Sequence, residues 1–208
     1  MKKLILLVSL LGLQTLSLAQ VKMTDSEIKN FQNKVTSDAK ALQSLSADFT
    51  QTKHISFLSK PITSTGKLYL KSDEKLKWEY VTPTKYAVVF KNKTLLVNNQ
   101  GKQNKVDLAS NKQFEKLSKL ISGTINGNLF DDKEFVVSYF KLDGENLVKL
   151  KPKNKDLIKY VKEIELYFDK TGKLVDKTKM IEPNDDYTLI IFSNKKINQT
   201  INDSVFSI

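Results

Sequence analysis

The sequence predicts a mainly β protein of the α+β class: a single curled antiparallel sheet of about eleven strands, with helices covering its concave side. Three observations lead there. Short segments that alternate apolar and polar residues recur along most of the chain, turn-forming residues separate them, and only two stretches change to helical spacing. A sheet of that size does not stay flat, so it is expected to curl into a barrel or half-barrel.

The chain opens with Met1-Lys2-Lys3, an apolar run from Leu4 to Leu13, and Ser17-Leu18-Ala19 before Gln20. That is the pattern of a secretory signal peptide, with cleavage expected after Ala19. Gly12, Gln14 and Thr15 interrupt the run, which makes it a poor membrane span. Residues 20–208 are then expected to form one domain, with no cysteine to cross-link it in an oxidising compartment.

Thr24-Asp25-Ser26-Glu27 reads as a capping box, and Ile28, Phe31, Val35, Leu42 and Leu45 continue at helical intervals, so the first helix is expected to end near Leu45. Strands follow over Phe49–Ile55, Ile62–Lys71, Lys75–Val81, Tyr86–Lys91, Thr94–Asn98 and Lys102–Leu108. Pro61, Pro83, Asn92-Lys93 and Asn99-Gln100-Gly101 mark the breaks. From Ser110 the apolar residues Phe114, Leu117, Leu120 and Ile121 return to helical spacing, and Gly123 and Gly127 interrupt it before Leu129. Five more strands are expected, over Glu134–Leu142, Asn146–Lys151, Tyr160–Asp169, Lys173–Ile181 and Tyr187–Ser193.

Charge and chemistry narrow the function. The formal net charge is +11, and without Lys2 and Lys3 the 32 remaining lysines still exceed the 23 acidic residues by nine. All the basic residues are lysines. Nucleic acid is not an expected partner, because arginine carries bidentate phosphate and base reading; a solvated lysine surface, or attraction to an anionic membrane, fits better. His54 is the single histidine, and no nucleophile, zinc or phosphate-cradle motif accompanies it, so the chain is read as a non-enzyme without cofactor or metal. The pairs Asp73-Glu74, Asp131-Asp132 and Asp185-Asp186 lie in expected turns, where Asp is favoured for backbone reasons. What remains is apolar surface, and periodicity does not say whether helices and sheet close on each other as a core or enclose a cavity.

The order of features resembles the LolA family, periplasmic carriers of outer-membrane lipoproteins. The residues that carry the likeness are Leu45-Ser46-Ala47-Asp48-Phe49-Thr50-Gln51-Thr52, Gly66-Lys67-Leu68-Tyr69-Leu70-Lys71 and Leu76-Lys77-Trp78-Glu79-Tyr80-Val81-Thr82-Pro83. Farther along stand Ile164 to Leu174, Phe192-Ser193-Asn194, Asn198 and Val205-Phe206. The resemblance implies an incomplete β-barrel whose apolar face takes lipoprotein acyl chains under a helical lid. The cavity wall would comprise Phe49, Leu68, Leu70, Leu76, Trp78, Tyr80, Val88, Phe90, Ile164, Leu166 and Phe168. Phe114, Leu117, Leu120, Ile121, Ile125 and Leu129 would form the lid. It further implies a monomer that receives lipoproteins from an ATP-driven inner-membrane complex and passes them to an outer-membrane acceptor lipoprotein or to the membrane. One departure stands out: where the family commonly has an Arg-Pro pair before the Trp strand, this chain has Ser72-Asp73, leaving Lys71 as the candidate latch for the lid. A lipid-sensing or envelope-stress module acting through protein contacts is the alternative on the same fold.

Overall fold

The computed structural model describes residues 20–91, 94–107 and 133–208. They form one antiparallel sheet of twelve strands. In chain order these are β1 (Val21–Lys22), β2 (Ser44–His54), β3 (Ile62–Lys71), β4 (Lys75–Thr82), β5 (Tyr86–Lys91), β6 (Thr94–Asn99), β7 (Lys102–Asp107), β8 (Phe135–Lys141), β9 (Glu145–Pro152), β10 (Glu163–Asp169), β11 (Val175–Ile181) and β12 (Tyr187–Ile197). Across the sheet the order is β1-β8-β9-β10-β11-β12-β2-β3-β4-β5-β6-β7, so β12 joins the two ends of the chain by pairing with β2. Among the described residues β1 and β7 are not paired with each other, and the sheet stays open.

The strand count departs from eleven because of β1, whose two residues pair with Lys141 and Phe140 and are too few to show a period. The first helix, α1 (Asp25–Lys40), also stops before the expected Leu45. Its start is the capping box: Thr24 Oγ1 accepts from the Glu27 backbone N–H, and Glu27 Oε2 accepts from the Thr24 N–H at 2.9 Å. Its end is set from far away. Asn198 Oδ1 accepts from the backbone N–H groups of Gln43 at 2.8 Å and Ser44 at 3.3 Å, while Asn198 Nδ2 donates to Ala41 O. With those groups taken, Ser44 enters β2 opposite Lys71, and Leu45 becomes a strand residue paired with Leu70. Two shorter elements were not expected: α2 (Lys155–Ile158), capped by Asn154, which displaces the start of β10 from Tyr160 to Glu163, and a 3-10 turn at Asp203–Phe206.

The two faces of the sheet differ sharply. The register places Tyr139, Val148, Leu166, Thr178, Ile190, Gln51 and Ser64 in one cross-strand row, and Ala47, Leu68, Trp78, Val88 and Val97 in another row on the same face. That face is predominantly apolar. On β9–β11 the other face is an ionic lattice: Lys149 bridges Glu163 and Glu165, Lys177 pairs with Glu145, and the Tyr167 hydroxyl donates to Glu165 at 2.8 Å. Burial disfavours the Glu165 charge, yet Lys149 and Tyr167 hold its carboxyl below the usual range.

At β4–β6 the second face is covered by the chain's own end. Phe206 is buried there beside Leu96, and Asp203 accepts from Lys71 at 2.7 Å and Lys75 at 3.0 Å. These two lysines hold the Asp203 carboxyl down at about 2.

Candidate functional site

All eleven residues expected to form a cavity wall lie on the apolar face, but they belong to two different environments. In the β8–β11 half, α1 packs onto the sheet. Phe31 and Val35 of the helix are buried with Phe135, Tyr139, Val148, Leu150, Leu166 and Phe168, and Ile28 and Ile164 pack against them. The Phe31 ring meets Phe168 edge-on at 5.1 Å and Tyr139 at 6.2 Å. Gly172 sits under Phe31 at positive φ, and a side chain there would press on that ring within 3.2 Å. Ile164, Leu166 and Phe168 are therefore engaged with α1 as a packed core.

The other half has no residue of α1 in its cluster. Leu70, Leu76, Phe90 and Leu95 are buried there with Leu42, and Leu68, Val88 and Val97 are half-buried against them. Beside this aliphatic group runs an aromatic track. Trp78 lies 4.4 Å from Phe49, 6.0 Å from Phe192 and 6.4 Å from Tyr80, and Tyr80 lies 6.2 Å from Tyr86 between ring centroids. Trp78 on β4 and Phe192 on β12 are three strands apart, which on a flat sheet is roughly 14 Å. Their rings meet because both side chains lean across the strands between them, where Gly66 carries no side chain.

Gly66 is fixed by this packing. It pairs with Phe49 on one side and Tyr80 on the other, and a Cβ added there would lie 2.4 Å from the Phe49 ring and 2.1 Å from Glu79 O. The Phe49 ring lies over that gap and is itself 1% exposed. Sequence reasoning placed Gly66 within the Ile62–Lys71 strand and missed that it seats Phe49; an isolated glycine inside an alternating strand was the available signal. Phe192, whose ring meets Trp78 on this face, was not among the residues expected there.

Two polar groups line the track. The Tyr80 hydroxyl donates to Gln51 Oε1 at 2.9 Å. Burial pushes that phenol up, while the neighbouring Trp78 indole and Gln51 draw it down in part. The Trp78 Nε1–H is buried and, among the described residues, has no partner within hydrogen-bonding geometry, although it stands close enough to the Tyr80 phenol to favour its ionised form. A buried donor without a well-formed hydrogen bond is costly, by up to about 1–3 kcal/mol when wholly orphaned, and this makes Trp78 a polar point on the apolar face.

Other expected residues fall elsewhere. Lys71 points to the opposite face, where its partner is Asp203. Among the carboxylate pairs, Asp73 binds Lys75, and Asp186 accepts from the Ser56 backbone N–H at 2.7 Å and from Asn184. Those bonds hold the Asp186 carboxyl low and give it a structural task. Among the described residues no three acidic or histidine side chains converge as a metal site. The expected second helix, the lid residues Phe114, Leu117, Leu120, Ile121, Ile125 and Leu129, the pair Asp131-Asp132 and the leader at residues 1–19 lie outside the described residues.

Residues 40–208 match the model of the family described as outer membrane lipoprotein carrier protein LolA. The chain belongs to the LolA family. Solved structures of similar fold include a conserved protein from Thermus thermophilus, 8% identical, covering 86% of this chain and 92% of that one with a TM-score of 0.54. MucB is 12% identical over 88% of this chain and 63% of its own, with a TM-score of 0.50. A LolA superfamily protein from Nitrosomonas europaea is 10% identical over 86% and 97%, with a TM-score of 0.44. At these identities the likeness is one of fold. No curated protein matches the sequence. Within this LolA-family chain, the motif strands β2, β3 and β4 are those that carry Phe49, Gly66 and Trp78.

Proposed function

We propose that this chain is a periplasmic carrier, without catalytic activity, that takes the acyl chains of lipoproteins onto the β12–β5 half of its concave face. The observation that carries the reading is the contrast on that face: one half is filled by α1, whereas the other presents the half-buried Leu68, Trp78, Tyr80, Val88 and Phe192 around the buried Phe49, with no α1 residue among them. The family description supports it. An acyl chain of ~16 carbons loses roughly 13 kcal/mol on leaving a membrane for water, at ~0.8 kcal/mol per CH₂, so transfer between membranes needs an apolar wall of this kind. The buried Trp78 N–H, which has no well-formed hydrogen bond among the described residues, adds a donor for an ester or amide carbonyl at the head of the acyl chain once the rings around it part to admit the ligand.

In this reading the leader at residues 1–19 is removed after Ala19. Phe114, Leu117, Leu120, Ile121, Ile125 and Leu129 close over the acyl chains. An ATP-driven inner-membrane complex loads the carrier, and an outer-membrane acceptor or the membrane itself receives the cargo. The test is release of a lipoprotein from spheroplasts by the purified protein. The wild type should bring lipoprotein into the supernatant and retain acyl ligand in native mass spectrometry, and Leu68→Glu should do neither. A wild type that releases nothing and carries no acyl chain, while capturing a signalling protein, would replace this reading with the lipid-sensing regulatory one.

A further inference from the structure

The five strand connections at one rim of the sheet are residues 55–61, 83–85, 100–101, 153–162 and 182–186, brought together because His54 pairs with Tyr187, Ile181 with Glu163, Thr82 with Thr65 and Tyr86 with Asn99. Of the large apolar side chains exposed among the described residues, Phe57, Leu58, Ile62, Val81, Ile158 and Tyr160 are gathered at this rim. Phe57 at the tip of the β2–β3 connection is 83% exposed and Tyr160 is 66% exposed. Among the described residues of the opposite rim, with the turns at Ser72–Glu74, Asp143-Gly144 and Lys170–Gly172, the one large apolar side chain exposed is Val21, which pairs with Lys141.

Charge follows the same division. Residues 55–61, 83–85 and 100–101 contain no acidic residue and carry Lys60 and Lys85, neither of which makes an ion pair among the described residues. The acidic residues of the neighbouring connections have partners within the rim: Glu182 pairs with Lys53, Asp185 with Lys162, Asp156 with Lys159, and Asp186 holds the Ser56 N–H. The aromatic track ends at this rim too, since Tyr80 and Tyr86 stand at the adjoining ends of β4 and β5.

From this juxtaposition we infer that the rim is a membrane-docking edge, which seats Phe57 and Leu58 among the acyl chains of an anionic phospholipid surface while Lys60 and Lys85 meet the headgroups. An apolar tip flanked by unpaired lysines matches such a surface in both its layers. Docking does not depend on the carrier reading. Where that reading holds, it adds that an acyl chain would pass between bilayer and Trp78 along Tyr86 and Tyr80 without crossing open water.

The test uses the cargo-free protein and sedimentation with vesicles of phosphatidylglycerol and phosphatidylcholine, compared with phosphatidylcholine alone. The wild type should co-sediment with the anionic vesicles and be released by salt. The double variant Phe57→Ser, Leu58→Ser should bind at least about tenfold more weakly, and Lys60→Gln and Lys85→Gln roughly fivefold more weakly each. All should keep the wild-type melting temperature and the wild-type response of Trp78 to acyl ligand, which separates failure of docking from failure of the carrier reading. A wild type that stays in solution, or a double variant that binds vesicles as the wild type does, overturns the inference. Absence of vesicle binding would point to a protein partner at the rim instead.

Discussion

The two halves of the apolar face are built from the same alternating strands and differ, among the described residues, in what lies on them. Over β8–β11 the rings of Tyr139 and Phe168 both meet Phe31, which α1 lays between them. Over β12–β5 the rings are more numerous, Leu68, Trp78 and Tyr80 are only half-buried, and one buried donor has no well-formed hydrogen bond among the described residues. The lesson is that an apolar strand face is not by itself a core or a cavity. What decides is whether another element of the chain supplies side chains of matching shape, as α1 does for one half.

Substitutions should separate the halves. Phe168→Ala removes a ring that is 2% exposed and should cost about 3–5 kcal/mol of stability in urea unfolding. The comparison would break if that variant were as stable as the wild type. Gly66→Ala should cost about 1–3 kcal/mol, because the added methyl collides with the Phe49 ring and with Glu79 O, and it should weaken acyl binding by displacing that ring. Trp78→Ala should cost less stability than Phe168→Ala yet remove most acyl affinity. An equal stability cost with unchanged affinity would make Trp78 ordinary core.

The smallest effects concern the polar ties. Glu27 is held at about 2, first by Lys141 and then by Thr24, against an ordinary 4.5. A depressed carboxyl stabilises the fold fully above its unfolded value and loses that contribution as pH falls through its folded value. The stability difference between wild type and Glu27→Gln should therefore shrink as pH drops from 4.5 towards about 2, followed by hydrogen exchange in the first turn of α1. Lys71→Gln should change stability in urea unfolding only slightly, since its partner Asp203 is largely exposed, and should leave acyl binding intact.

Much of the sheet was legible because alternation and turn chemistry are local. The strand pair around Trp78, its greasy side with Leu68 and Leu76, and its wet side with Lys71 and Lys75 follow from period two alone. The capping box at Thr24 was equally direct. The end of α1 was not, because Leu42 and Leu45 keep helical spacing while Asn198, far away in sequence, claims the backbone that would continue the helix. Asp203 likewise lies far from Lys71, so no local pattern announced that this lysine is engaged on the other face. Nor could periodicity tell Leu166 from Leu68: both alternate correctly, and only the placement of α1 puts one in a packed core.

Trp78 is the chain's only tryptophan, so its fluorescence reports directly on the half of the face in question. On titrating a long-chain acyl ligand into the delipidated protein, the account predicts a saturable change in Trp78 emission that Leu68→Glu abolishes while the fold is retained. A folded wild type whose emission does not change at saturating ligand, or a Leu68→Glu variant that responds as the wild type does, would contradict the assignment of the β12–β5 half as the acyl site.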